Sequence, residues 1–226
     1  MTSSTISRYW VFLGNELRAE LRHLQGLAAQ AMFVVVASYL LYAGLVLLGH
    51  AEVSNQVIHV IFWLVMIFTI VNSTSSSFFR DASGRDLYYY SLLHPLVYFI
   101  GKLLSSFVAT LFHSLLLTLI FHQVFACDYM VTFPWFAVMF CGVLGMTTLF
   151  TLIASMASKT SQSQILAVVL GFPLAIPLLL FILKNLRSID LVYVQDFSLS
   201  GLSSLLIFDG LILGLSLLLF PYIWGD

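Results

Sequence analysis

The chain has 226 residues, of which 61% are hydrophobic and only 8% charged, with Lys+Arg 9 against Asp+Glu 10. An average soluble domain carries about 25% charge, so this composition excludes an ordinary water-soluble globule, and the near-zero net charge leaves no basic excess for nucleic acid. Apolar runs of about 20 residues recur along the chain without the in/out alternation of barrel strands, so the expected class is all-α and polytopic in a membrane.

In chain order, residues 7–25 come first as an amphipathic interfacial helix. Trp10, Leu13, Leu17, Leu21 and Leu24 form its apolar stripe, with Arg8, Asn15, Glu16, Arg18, Arg22 and Gln25 elsewhere on its circumference. The apolar core from Trp10 to Leu13 is too short for a cleaved leader. Six transmembrane helices are then expected at about 27–48, 57–79, 96–126, 133–157, 165–183 and 199–224, making 1–226 a single membrane domain. Placing the N-terminus inside puts Arg8, Arg18, Arg22, Arg80, Arg85, Lys102 and Lys159 on the cytoplasmic side and only Lys184 and Arg187 outside. Both termini are therefore expected in the cytoplasm.

The third span is long and carries Lys102 near its start, where snorkelling to lipid phosphates is the simple expectation and contact with a cytoplasmic partner the alternative. His113 and His122 sit nine residues apart in it, on opposite faces at about 100° per residue, so they do not clasp one metal. Gly101, Ser105 and Ala109 share one face of this span, and Gly210 and Gly214 share one face of the sixth, two small-residue stripes suited to helix packing within or between chains. Pro173 and Pro177 lie on one face of the fifth span and mark a kink or hinge, because proline removes an amide donor from the helix.

Little here suggests chemistry. Asp209 is the one clear carboxylate inside a span. No HExxH, GxSxG or phosphate loop occurs, and Gly101-Lys102 lacks the glycine that a phosphate loop needs at position 96. Cys127 and Cys141 have no metal or redox spacing. No catalytic residue, metal site or cofactor of the chain's own is expected.

The polar segment 80–95 after the second span is the most informative. Arg80, Asp81, Gly84, Arg85 and Asp86 precede the run Tyr88, Tyr89 and Tyr90. These residues suit a solvated turn with an interfacial aromatic belt, or a docking element with Arg and Tyr anchors, and the residue types alone leave both open.

Several stretches together resemble the haem exporter B (CcmB) family, and its Bacteroidetes-like branch in particular. They are Phe62-Trp63 with Thr69-Ile70-Val71-Asn72, Gly84-Arg85-Asp86-Leu87-Tyr88-Tyr89-Tyr90 with Pro95 and Lys102, Ala154 to Lys159, and Phe172 to Leu178. The resemblance implies an ABC-type permease subunit for c-type cytochrome biogenesis in the bacterial inner membrane. It implies that segment 80–95 forms the coupling loop that docks a separate CcmA-like ATPase. ATP would bind that partner, and haem would be handled by a complex including CcmC-, CcmD- and CcmE-like proteins, with this chain as a homodimer. Two alternatives stay open: a permease for another lipophilic substrate, and a non-transporting membrane scaffold.

Overall fold

The computed structural model describes residues 3–47, 53–79, 94–158, 163–191 and 199–225. Among these residues there are seven α-helices and no strand: α1 (Ser3–Arg22), α2 (Leu24–Leu47), α3 (Asn55–Phe79), α4 (Pro95–Phe125), α5 (Phe133–Ala157), α6 (Ser163–Leu191) and α7 (Leu199–Gly225). Helices α2 to α7 are each long and apolar enough to cross a bilayer, and the chain is a multi-pass membrane protein.

The boundaries of α1 and α6 differ from expectation, and α1 begins at Ser3 instead of 7. The first helix ends at Arg22, not at 25, because His23 alone separates it from the first span, which begins at Leu24. The apolar part of α6 runs to Arg187 instead of stopping at 183, so Lys184 and Arg187 are helical residues at its far end. α4 is the longest span, with 31 residues. At 1.5 Å per residue it is about 46 Å long, which exceeds a hydrocarbon core of roughly 30 Å. His94 caps its start by accepting the Leu96 N–H, Pro95 occupies the first turn, and Ala126 ends it in the left-handed region at φ 52°. A 3-10 turn at Asp128–Val131 then leads into α5.

α5 is the hub, packed on α3, α4, α6 and α7, while α2 lies outside against α4 and α3. Burial here separates side chains from lipid instead of water, so close packing and hydrogen bonding hold the helices together more than the hydrophobic effect does. Trp63, Trp135, Phe62, Phe121, Phe150, Met66 and Met146 fill the main core. Met32, Phe33, Val36, Tyr39 and Leu40 of α2 face outward. Several hydroxyls in the spans return to their own helix, as when Thr69 donates to the Val65 carbonyl at 2.9 Å and Thr151 to that of Thr147 at 2.6 Å. Between helices, the Thr110 and Thr147 hydroxyls meet at 3.2 Å and link α4 to α5.

A second, smaller core lies at one end of the bundle, here termed the base. It joins Phe12 of α1, Phe78 at the end of α3, Tyr98, Phe99 and Leu103 at the start of α4, Ala154 near the end of α5 and Phe220 near the end of α7. The rings of Phe12 and Tyr98 stack at 6.1 Å, and those of Tyr98 and Phe220 at 6.3 Å. The first helix and the end of the last one therefore meet at the same end of the bundle.

Candidate functional site

The base is where polar chemistry concentrates. Lys102 is 2% exposed, and its Nζ donates to Glu16 Oε2 at 2.9 Å and to the Ser77 carbonyl at 3.1 Å. The ammonium also lies 5.6 Å from the centroid of the Tyr98 ring. One lysine thus fastens three elements: α1 through Glu16, the last turn of α3 through Ser77, and its own helix α4. Snorkelling is therefore overturned. Lys102 does not reach the headgroups, because α1 covers it and supplies a counter-charge from the same chain.

The arrangement also corrects the reading of α1. Phe12, Glu16 and Glu20, spaced four apart, are buried, whereas Val11 and Leu24 are exposed and Leu13 and Leu17 only partly covered. The side chains of Trp10 and Leu21 lie outside the described residues. A face with two glutamates reads in sequence as a solvated face, yet here it is the docking face, because Lys102 lies beneath it. Asn15, Arg18 and Arg22 remain exposed on α1.

Gly101 explains how α1 gets so close. A Cβ at this position would lie 2.6 Å from a ring carbon of Phe12, so a side chain here would push α1 off α4. Ser105 and Ala109 of the same stripe are buried, and Ser105 donates to the Lys102 carbonyl at 3.1 Å. The stripe in α7 is placed differently. Among the described residues nothing lies within 4 Å of a Cβ built on Gly210 or Gly214, so these glycines make no close approach to another helix of this chain. Pro173 and Pro177 are both exposed on the outer face of α6, which runs through them as one helix.

Arg80, Asp81, Gly84, Arg85, Asp86, Tyr88, Tyr89 and Tyr90, the residues expected to dock a partner, lie outside the described residues. Both ends of their segment are described, and they belong to the base. Phe78 and Tyr98 meet edge to face at 6.2 Å, two residues before the segment and a few residues after it. Together with the bond from Lys102 to Ser77, this ties the exit of α3 to the entry of α4.

The remaining histidines act separately. The His113 ring nitrogens lie 2.6 Å from the Ala109 carbonyl and 3.2 Å from the Leu27 carbonyl, which joins α4 to the first turn of α2. His122 faces the Cys127 carbonyl at 3.2 Å, and His59 packs among Tyr129 and Trp135 at the end of the bundle away from the base. Among the described residues no three His, Cys, Asp or Glu side chains group as metal ligands. Deep in the bundle, Asp209 of α7 is 2% exposed and abuts Gly145 of α5.

Sequence reasoning missed Glu16, Phe12, Tyr98, Ser77 and Phe220. The signal for Glu16 was present: a lysine inside a span calls for a counter-charge, and α1 offers Glu16 and Glu20 on one face.

No family model matches the chain, and no curated protein matches it.

Proposed function

We propose that this chain is the permease subunit of an ABC-type complex of c-type cytochrome biogenesis, similar to the CcmB family, in the bacterial inner membrane with both termini cytoplasmic. A separate CcmA-like ATPase docks on segment 80–95, and its nucleotide-driven movement is passed to the spans, for haem export or for release of a haem-loaded chaperone. CcmC-, CcmD- and CcmE-like proteins complete the assembly.

The observation that carries this reading is the tie beneath the segment. Lys102 joins the last turn of α3 to the second turn of α4 and to α1, and Phe78 packs on Tyr98. A load applied to segment 80–95 would therefore move three helices together instead of bending one loop. A solvated turn has no need of such a foundation. The orientation is supported by the charge bias of the sequence, with Arg18 and Arg22 exposed on α1 and Lys184 and Arg187 exposed at the far end of α6.

The test is co-purification with a co-expressed CcmA-like ATPase at matched membrane levels. Truncating a buried Arg or Tyr anchor costs about 2 kcal/mol or more of binding, roughly thirtyfold. Arg85→Ala and Tyr89→Ala should weaken recovery on that scale, and Asp196→Ala, in the stretch before the sixth span that the charge rule puts outside, should not. Equal recovery after neutralising the charges of the whole segment and truncating its three tyrosines would refute docking there.

A further inference from the structure

Asp209 is an ionisable group for which the proposed function has no use. Its residue is 2% exposed, and among the described residues neither carboxyl oxygen has a hydrogen-bond partner. It stands eight residues into the span Gly201–Ile223, about 12 Å along the helix axis, and so within the hydrocarbon region. The carboxyl occupies the space that a side chain at position 145 would take: a Cβ on Gly145 would overlap Oδ1, and Leu178 of α6 closes the same slot at 3.2 Å.

Among the described residues no counter-charge completes this slot. The titratable group on the same face of α5 is Cys141, buried one helical turn from Gly145. On α6, Lys184 and Arg187 are exposed, and Leu178 fills the contact. On α4, Lys102 is engaged with Glu16, and His113 lies against backbone carbonyls. An ionised carboxylate sealed in such a place would have neither a donor nor a cation to offset the loss of its hydration. The neutral acid carries no charge to stabilise.

We propose that Asp209 is a proton-binding site inside the membrane. The carboxyl holds a proton while α7 lies against Gly145. When α7 moves away from α5, water reaches the slot and the O–H bond breaks, with the proton passing to that water and the electron pair staying on the carboxylate. The reverse step reloads the site. The proposal does not rest on the ABC-permease reading, and its test needs no partner protein.

The experiment is infrared spectroscopy of the full-length chain reconstituted in phosphatidylcholine vesicles at neutral pH, comparing wild type with Asp209→Asn. The expected difference is the loss of one carboxylic-acid C=O band per chain, a band that shifts slowly when the vesicles are moved into D2O. Loss of a carboxylate stretch instead would overturn the proposal. Should the Asn variant fail to fold, Asp209→Glu serves: the acid band should move in frequency, and an unchanged acid region would overturn the proposal. Gly145→Ala places a methyl group where Oδ1 sits and should displace or abolish the band, while Gly210→Ala meets open space and should leave it intact. An acid band indifferent to Gly145→Ala would overturn the sealed slot.

Discussion

Replacing Lys102 with Met tests the clasp at the base directly. Two unit charges 2.9 Å apart attract by about 6 kcal/mol at an effective dielectric of roughly 20, but removing both from water offsets much of this. The asymmetry between single and double replacement is the useful quantity. Removing one partner strands the other and costs about 3–5 kcal/mol, whereas replacing both with apolar side chains of similar volume is close to neutral. Undocking of α1 can be read from a cysteine at position 12, which is buried in the native packing, after Cys127 and Cys141 are replaced with Ala. In membranes, labelling of that thiol by a maleimide follows the undocked fraction. Lys102→Met or Glu16→Met should each accelerate labelling by about a hundredfold or more, the factor that 3 kcal/mol represents. The double variant should return most of the way to the starting rate. Equal rates in all four backgrounds, or two single effects that simply add, would refute a coupled ion pair.

Gly101→Leu, with Phe12 retained and the reporter cysteine moved to the buried position 20, should release α1, because even a Cβ at position 101 meets the Phe12 ring, whereas Gly14→Leu, with open space beside it, should not. Gly210→Leu with Gly214→Leu should leave the thermal stability of the isolated chain within about 0.5 kcal/mol of wild type, as expected for sites without neighbours, and cross-linking would show whether a second copy uses that face. Pro173→Ala with Pro177→Ala restores two amide donors on an outward face of α6 and should leave the chain folded. If these prolines form a hinge, ATP-driven turnover of the complex should fall, and unchanged turnover would remove that role.

The class and the number of spans are legible in the amino-acid order, because a bilayer admits few solutions: about 20 apolar residues with every backbone group satisfied inside the helix. The sequence also singled out Lys102, Gly101 and Asp209 as unusual residues. What it could not decide was what each of them meets. Lys102 and Glu16 are 86 positions apart, and periodicity along one helix carries no information about the face another helix will cover. The stripe of leucines on α1 pointed to lipid, while the tertiary structure used the neighbouring stripe of Phe12, Glu16 and Glu20, because a buried cation beneath it made two carboxylates a suitable docking face. The same limit holds for the glycines. Gly101 and Gly145 admit a ring and a carboxyl from other helices, while the equally suggestive Gly210 and Gly214 meet nothing among the described residues. A small residue only permits close approach, and the arrangement of the whole bundle decides whether another group comes near.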